Sequence, residues 1–254
     1  MLASAPVSTL MNFSKRAVVD QGTPLKDPTS FRRLIGKLIY LTNMRSEITY
    51  AVHNLSQHVY APTTILHQAT LRILRYLNQS PGDGIFLDAN SEIKLNGFSD
   101  SDWAGCPKTR KSLSGYIIYL GHSPIAWKSK KQNIVSRSSP EAKYKALAST
   151  TCELQWLFYL LEDFHAQHAQ PALLFYNNQS AIQIALNLVF HERTKHKKID
   201  CHVVGEKIQH GVIKLLHISL KEQHANILTK ALALLTNKSL WINTLCIQIC
   251  CVLK

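Results

Sequence analysis

Acidic residues are scarce in this chain of 254 residues. Aspartate and glutamate together number 16, against 29 lysines and arginines, and the formal net charge is +13. Such an excess of positive charge favours association with a polyanion, and nucleic acid is the partner that we expect. The charge bears on association and solubility and leaves the fold open.

Regularly spaced cysteines and long apolar runs are also missing. The six cysteines follow no regular spacing, and the first residues, MLASAPVSTLMNF, lack the basic segment and the apolar core of a signal peptide. The apolar stretch SLWINTLCIQICCVLK is too short, and too interrupted by Asn243 and Gln248, to span a bilayer. We therefore expect a reducing, intracellular environment, cytoplasmic or nuclear, without a transmembrane segment.

Helical periodicity is the first pattern that is present. Asp27 and Pro28 suit the N-cap and the first position of a helix, and apolar residues follow at helical spacing. Two further apolar series end at the turn SPGDG, residues 80–84. We expect a small helical unit at 27–84, whereas residues 1–26 show no sustained period and are predicted to be an N-terminal tether.

After Gly84 the apolar period falls to two. GIFLDANSEIKLNGFSD predicts a strand, a polar turn at 88–92 and a second strand, and SGYIIYLGHSPIAWKS predicts two more strands. The short connections favour antiparallel pairing. From Ser138, which forms a capping box with Glu141, the chain is predicted to be helical for about 25 residues.

The second half of the chain alternates strands and helices. ALLFYN is a continuous apolar run that suits a strand covered on both faces, and it leads into the helical NNQSAIQIALN. After a basic, histidine-rich stretch come the strand GVIKLLHIS and a second capping box, Ser219 with Glu222, which opens the predicted helix LKEQHANILTKAL. Strands first and α/β crossovers later predict an α/β fold, with a mixed sheet flanked by helices.

Five stretches of sequence carry a resemblance to a known family. They are DPTSFRRLIGKLIYLTNMRSEITYAV, SDSDWAGCPKTRKSLSGYIIYLG, WKSKKQNIVSRSSPEAKYKALA, HERTKHKKIDCH and EQHANILTKAL. In this order they resemble the C-terminal end of the Pol polyprotein of copia-type retrotransposons, where the last part of the reverse transcriptase precedes the ribonuclease H domain. The family's polymerase motif, Tyr-x-Asp-Asp, does not occur in the sequence, so this polypeptide is not expected to polymerise nucleic acid.

The resemblance implies a division of the chain and a fold. Residues 27–84 would be a helical remnant of the reverse transcriptase, similar to its thumb or connection region. Residues 85–235 would form a ribonuclease H-like domain with a mixed five-stranded sheet, and 236–254 a divergent C-terminal tail. The partners implied are an RNA/DNA hybrid or duplex nucleic acid, and the rest of a Pol polyprotein if the chain is expressed as part of one.

In that family the ribonuclease H domain hydrolyses the RNA strand of RNA/DNA hybrids with two Mg²⁺ ions held by four carboxylates. Two divalent ions about 4 Å apart repel each other, and only clustered carboxylates make their joint binding favourable. The resemblance places the carboxylate positions at Asp100, Lys143, Asn177 and Asn226. Because only Asp100 is acidic, we expect weak or absent metal binding at Asp100 and no bound pair of Mg²⁺ ions.

Nearby residues do not restore the missing carboxylates. Glu141 lies about 200° around the helix from Lys143, so we expect it to cap the helix instead. Asp102 and Glu222 approach the site without taking a missing position, and Lys143 is predicted to enter the emptied metal site and pair with Asp100. Two functions stay open: an enzyme with residual metal-dependent nuclease activity, and a non-catalytic basic module that binds nucleic acid.

Two basic stretches are candidates for contact with nucleic acid. WKSKKQNIVSRSS and ERTKHKKID supply the cations Lys128, Lys130, Lys131, Arg137, Arg193, Lys195, Lys197 and Lys198. Cations beside an aromatic ring such as Trp127 suit phosphate contact and base stacking. The alternative is that these stretches are solvated loops that favour solubility only.

Two other chemistries find little support in the sequence. Four potential zinc ligands, His191, His196, Cys201 and His202, lie close together in sequence. Their spacing matches neither C-x₂-C nor H-x₃-H, so we expect a polar helix or loop with local hydrogen bonds. The G-x-S-x-G pattern of a nucleophilic serine does not occur, which disfavours a hydrolase triad.

Overall fold

A group of helices precedes a five-stranded mixed sheet in the computed structural model, which describes residues 5–11, 22–166, 169–186 and 198–231. The helical unit contains α1 (Pro28–Leu41), a 3-10 turn (Ser46–Ile48), α2 (Thr49–Ser56) and α3 (Thr64–Leu77). The sheet unit contains β1 (Lys94–Asp102), β2 (Leu113–Leu120), β3 (Ser123–Lys131), α4 (Ser139–Asp163), β4 (Ala169–Tyr176), α5 (Gln179–Leu186), α6 (Lys198–Gln209), β5 (Ile213–His217) and α7 (Asn226–Thr229).

The first helix begins where the local sequence predicts. The Asp27 carboxylate accepts a hydrogen bond of 2.9 Å from the amide of Thr29, which is the usual N-cap interaction. One face of α1 packs against α2 and α3 and buries Phe31 and Ile35, which are 0% and 1% exposed. Burial of each such side chain contributes about 2 kcal/mol, so this small unit has its own apolar core.

The described part of the predicted tether contacts the helical unit. The Arg72 guanidinium of α3 donates a hydrogen bond of 3.0 Å to the Thr9 carbonyl oxygen, and Val7 and Leu10 pack at the edge of the helical core. The Leu25 amide donates to the carbonyl oxygen of Pro62 at 3.0 Å. The division of the chain into four segments stays a prediction.

The sheet has the strand order β3-β2-β1-β4-β5. The pairs β1–β2 and β2–β3 are antiparallel, whereas β4 runs parallel to β1 and β5 parallel to β4. Leu147 and Leu154 of α4 pack on one face of the sheet, and Ile227 and Leu228 of α7 pack on the other. The predicted mixed five-stranded sheet flanked by helices is confirmed.

The strand predicted just before the turn at 88–92 is wrong. Residues 85–88 lie outside the sheet, and the Asp88 amide donates a hydrogen bond of 2.8 Å to the hydroxyl of Ser123. The next strand, β1, with which a short turn would favour antiparallel pairing, already has β2 on one edge and β4 on the other. A strand with two neighbours has no free edge, so the preceding segment cannot form a hairpin with it.

The helix predicted to open at Ser219 is much shorter. Residues 220–222 form a turn, and α7 begins only at Asn226. The side-chain amide of Gln223 instead donates to the carbonyl oxygen of Ser99 at 3.1 Å, and the His224 ring stacks on Phe98 with centroids 4.2 Å apart. Contacts with the sheet therefore override the local helical preference.

The predicted capping box at the start of α4 is confirmed, because the Glu141 amide donates to the Ser138 hydroxyl at 3.3 Å.

Among the helices that the structure describes, none combines the length and the apolar character needed to cross a membrane.

Candidate functional site

The four positions that resemble the family's metal ligands come from four separate elements and lie together. Asp100 is in β1 and Asn177 directly follows β4, and these strands are parallel neighbours with Ser99 opposite Tyr176. Lys143 lies in the second turn of α4, and Asn226 is the first residue of α7. Fold and pairing register therefore bring together side chains that are as much as 126 residues apart, from 100 to 226.

Asp100 is completely buried, with an exposure of 0%. Its Oδ2 atom accepts a hydrogen bond of 2.8 Å from the Thr229 hydroxyl and forms an ion pair of 3.0 Å with Lys230 Nζ. Its Oδ1 atom is buried and has no hydrogen-bond partner within the described part of the chain. Lys230 therefore balances the charge of this carboxylate, and only Oδ2 accepts hydrogen bonds from the described residues.

The short distance between α7 and β2 allows Thr229 and Lys230 to contact Asp100. Gly115 of β2 lies opposite Asp100 in the antiparallel pair. A Cβ atom at this glycine would lie 2.8 Å from both the Leu228 Cβ and the Thr229 Cγ2 atoms, closer than such atoms pack. Glycine is therefore required here, because a side chain would push Thr229 and its neighbour Lys230 away from the carboxylate.

Lys230 is the residue that sequence reasoning missed. Its ammonium group lies 3.0 Å from Asp100 Oδ2 and donates a hydrogen bond of 3.0 Å to Asn226 Oδ1. The predicted pairing of Lys143 with Asp100 is wrong, because Lys230 makes that ion pair. A signal was present in the sequence, since Lys230 follows Asn226 by four residues, a spacing that places side chains on one side of a helical turn.

Lys143 takes a neighbouring place instead. Its Nζ atom donates a hydrogen bond of 3.3 Å to Asn177 Oδ1, and its side chain is partly buried. Burial lowers the pKa of this ammonium group, while the charge of Asp100 raises the pKa and the charge of Lys230 lowers it. The two lysines are thus close enough to act on each other, and the site contains more positive than negative charge.

Two contacts fix the positions of Lys143 and Asn177. The hydroxyl of Tyr176, a fully buried residue, donates to the Lys143 carbonyl oxygen at 2.5 Å. The next asparagine, Asn178, accepts a hydrogen bond of 2.8 Å from the Ala181 amide and so caps α5. Because Asn178 serves the helix, Asn177 is left to face Lys143.

The nearby carboxylates have other partners. Glu141 accepts hydrogen bonds from the Arg137 amide at 2.9 Å and from Lys145 at 3.1 Å, so its interpretation as a helix cap is confirmed. Glu222 accepts a hydrogen bond of 2.6 Å from the Ser219 hydroxyl. Asp102 ends β1, and a turn folds over its carboxylate so closely that a Cβ atom on Gly105 would lie 2.4 Å from Oδ2.

The side chains present do not fit a pair of Mg²⁺ ions. Across the described ranges no three Asp, Glu, His or Cys side chains come together as a metal-binding group. Mg²⁺ prefers six oxygen ligands, and two adjacent ions need several shared negative charges. Here a single carboxylate, Asp100, faces the ammonium group of Lys230 at 3.0 Å.

The first basic stretch contains exposed and half-buried side chains. Lys128, Lys130 and Arg137 are exposed, as a nucleic-acid contact requires. Lys131 Nζ donates a hydrogen bond of 2.6 Å to Oε1 of Gln57, which directly follows α2, and the Trp127 indole donates one of 2.9 Å to the Thr42 carbonyl oxygen. These two side chains therefore hold β3 against the helical unit, and an open groove of about 390 Å³ runs beside them.

The second basic stretch cannot be placed. Arg193, Lys195 and Lys197 lie outside the described residues, and Lys198 begins α6 with a side chain that is not described. Of the four potential zinc ligands, His191 and His196 also lie outside the described residues, as does the side chain of Cys201. The fourth, His202, is exposed on α6.

Comparisons with known proteins give clear relatives in sequence. No family model matches the chain. It is 42% identical over 233 residues to the retrovirus-related Pol polyprotein from transposon RE2 of Arabidopsis thaliana, covering 92% of this chain and 16% of that protein. It is 33% identical over 232 residues to the corresponding polyprotein from transposon TNT 1-94 of Nicotiana tabacum, covering 89% and 17%.

The coverage is as informative as the identity. The chain spans about a sixth of the length of the curated relatives that it matches, 16% and 17%. Among solved structures, the ribonuclease H1 called LC11, in complex with an RNA/DNA hybrid, is similar with a TM-score of 0.39 and 15% identity. That similarity covers 53% of this chain and 93% of the LC11 chain.

Proposed function

Because this chain belongs to the family of copia-type retrotransposon Pol polyproteins, we propose that residues 85–235 are the ribonuclease H-like domain of such a polyprotein. Residues 27–84 are then the end of the reverse transcriptase. This copy binds RNA/DNA hybrid or duplex nucleic acid and does not hydrolyse it by the two-metal mechanism. Its partner beyond nucleic acid is the rest of the polyprotein.

The observation that carries this proposal is the charge of the site. The carboxylate of Asp100 is accompanied by the ammonium groups of Lys230, at 3.0 Å, and of Lys143. Each unit-charge pair about 4 Å apart is worth about 4 kcal/mol at an effective dielectric near 20. Compared with a site of four carboxylates, this site lacks several attractive charge pairs with Mg²⁺ and adds repulsive pairs with the two lysines. Joint binding of two divalent ions is therefore unfavourable.

Binding of nucleic acid is supported by the charge of the whole chain and by its exposed lysines. The net charge of +13 favours a polyanion. Lys128 and Lys130 project from β3 into solvent beside the open groove that Tyr40, Trp127 and Lys128 help to line. Long cationic side chains at such an edge suit sequence-independent contact with phosphates.

A cleavage assay tests the proposal. The chain is incubated with a labelled RNA/DNA hybrid and Mg²⁺ or Mn²⁺, and we expect binding without cleavage. The matched control is Asp100→Asn, which removes the one remaining carboxylate. Metal-dependent cleavage by the wild type that Asp100→Asn abolishes would show that the site is active and the proposal wrong.

A restored variant tests whether only the site has changed. Lys143→Glu, Asn177→Asp and Asn226→Asp return carboxylates to the three substituted positions, and Lys230→Gln removes the ammonium group from Asp100. We expect this quadruple variant to cleave the hybrid with Mg²⁺ if the scaffold still positions the four side chains. The triple variant that keeps Lys230 is the control, and its activity should stay lower.

A second candidate function is a residual nuclease that uses a single ion. It is favoured by one observation, the buried Oδ1 atom of Asp100, which has no hydrogen-bond partner among the described residues. Titration of the wild type and Asp100→Asn with Mn²⁺, followed by electron paramagnetic resonance, distinguishes the two functions. Stoichiometric binding that Asp100→Asn removes would favour the single-ion nuclease.

A further inference from the structure

Two ammonium groups occupy the region where the family's ribonuclease H would hold metal ions. We infer that Lys143 and Lys230 form a metal-independent phosphate site that holds a backbone phosphate of the bound nucleic acid. This inference rests on the proposed function, binding of nucleic acid, and adds where the strand is held and by which groups. The charge that metal ions supply in the family is then supplied by the chain's own side chains.

The site contains more positive than negative side chains. Lys230 alone neutralises Asp100, since its Nζ atom lies 3.0 Å from Oδ2. Lys143 is additional, and its hydrogen bond of 3.3 Å is to a neutral amide oxygen, that of Asn177. Asp100, Lys143 and Lys230 together carry a net charge of +1, so the site attracts an anion.

The ammonium groups of Lys143 and Lys230 both have unused hydrogen-bond donors. An ammonium group has three donors and no acceptor. Lys143 Nζ uses one of them within the described residues, on Asn177 Oδ1. Lys230 Nζ uses two, on Asp100 and Asn226. Donors therefore remain on both lysines, and phosphate oxygens are strong acceptors for charged donors.

Access from solvent and mutual repulsion both favour an anion at the two lysines. The side chain of Lys230 is 32% exposed, so a phosphate can reach it from solvent. The ammonium groups of Lys143 and Lys230 are close enough to repel each other. An anion bound to both groups offsets this repulsion, whereas a further cation would increase it.

The test is a binding experiment on the full chain with a fluorescent RNA/DNA hybrid, read by anisotropy at several salt concentrations. Binding is measured in EDTA and in Mg²⁺ for the wild type, Lys143→Gln, Lys230→Gln and Lys143→Arg. The matched control is Lys214→Gln, which removes the same charge from an exposed position in β5. Circular dichroism checks the folding of each variant.

We expect the wild type to bind equally well with EDTA and with Mg²⁺. Each glutamine substitution at Lys143 or Lys230 should weaken binding and lower the slope of log K against log salt by about 1. Lys143→Arg keeps the charge and should keep the slope, as should Lys214→Gln. If Lys230→Gln does not fold, the difference in binding between Lys143→Gln and Lys143→Arg tests the inference by itself.

The outcomes separate this inference from the proposed function. If the wild type does not bind the hybrid, the proposed function itself is wrong. If it binds and Lys143→Gln behaves like Lys214→Gln, nucleic-acid binding stands and the phosphate site is wrong. If Mg²⁺ strengthens binding and Lys143→Gln strengthens it further, the site binds a metal ion, which also overturns the inference.

Discussion

Among the residues that the structure describes, the helical unit and the sheet unit each contain one carboxylate that is buried and bound to a basic side chain. In the helical unit Glu47, which is 3% exposed, accepts a hydrogen bond of 2.5 Å from Arg45 Nε. In the sheet unit Asp100, which is 0% exposed, pairs with Lys230 Nζ at 3.0 Å. The two carboxylates are similarly buried, and the pairs differ in the exposure and the surroundings of the basic side chain.

The Arg45 pair is enclosed. The guanidinium group also donates to the carbonyl oxygens of Ser80 at 2.9 Å and Asp83 at 3.3 Å, so it ties the turn after α3 to the helical core. Its side chain is only 4% exposed. Burial raises the pKa of Glu47, although the charge of Arg45 acts to lower it. This pair therefore ties the turn after α3 to the core of the helical unit.

The Asp100 pair is open and has an unmatched neighbour. Lys230 is 32% exposed against 4% for Arg45, and Lys143 adds a second positive charge beside it. A buried ion pair by itself is therefore no sign of a functional site. What distinguishes the sheet unit is the surplus charge together with access to solvent.

Breaking the enclosed pair should have the largest effect on stability. Arg45→Met leaves Glu47 buried without its counter-ion, and we expect the free energy of unfolding to fall by about 3–5 kcal/mol. Urea unfolding measures the loss. Arg33→Met, at an exposed position of α1, is the control and should change it by no more than about 0.5 kcal/mol. An equal loss for both variants would contradict the structural role of Arg45.

Acid should weaken the docking of α7 on the sheet, and with it the open pair. The His224 ring stacks on Phe98, and its Nδ1 atom lies 3.0 Å from the Tyr119 hydroxyl. Burial lowers the pKa of His224 from 6.5 to about 4, while the charge of Glu222 acts to raise it. Because the unfolded chain binds the proton more tightly, this contribution is complete above pH 6.5 and is lost as the pH falls towards 4.

The expected size of this acid effect is about 3 kcal/mol at pH 4. It is measured as the difference in the free energy of unfolding between the wild type and His224→Asn, from pH 7 down to pH 4. The advantage of the wild type should shrink over that range. A constant difference for His224→Asn would contradict the buried, neutral ring.

Removing Lys230 should cost less than removing Arg45. In Lys230→Met the Asp100 carboxylate keeps the hydrogen bond from Thr229 and the nearby charge of Lys143. We expect the free energy of unfolding to fall by about 1–3 kcal/mol. Lys221→Met, at an exposed position before α7, should change it by about 0.5 kcal/mol or less. A loss as large as that of Arg45→Met would mean that the two pairs have the same role.

The elements that the sequence predicted correctly are those with local causes. The start of α1 depends on Asp27 and that of α4 on Ser138, and each cap forms within a few residues of chain. The period of two located β1, β2 and β3. The segment at 85–88 could not be judged locally, because its exclusion from the sheet depends on β4, which lies more than 80 residues later.

The candidate site was predictable in its positions and not in its contacts. The resemblance indicated Asp100, Lys143, Asn177 and Asn226, and the fold brings these four residues together. Lys230 was missed because it is none of the four family positions, and its ammonium group reaches Asp100 from a residue where the chain leaves the helical conformation. The docking of α7 through Gln223 and His224 decides that geometry.

Substitution of Lys143 should have the smallest effect on the free energy of unfolding. Unlike the substitutions of Arg45 and Lys230, it should not lower that free energy. Burial lowers the pKa of Lys143 below 10.5, so its charged form is disfavoured in the folded protein at neutral pH. Lys143→Met removes that charge and should leave the free energy of unfolding unchanged or raise it, within about 1 kcal/mol. The difference from the wild type should disappear above pH 10.5, where the lysine is neutral in both states. Urea unfolding at pH 7 and pH 11 measures this, with Lys145→Met as the control because Lys145 pairs with Glu141 at 3.1 Å. A loss as large as that of Lys230→Met would make Lys143 a second counter-ion of Asp100, with no surplus charge for a phosphate.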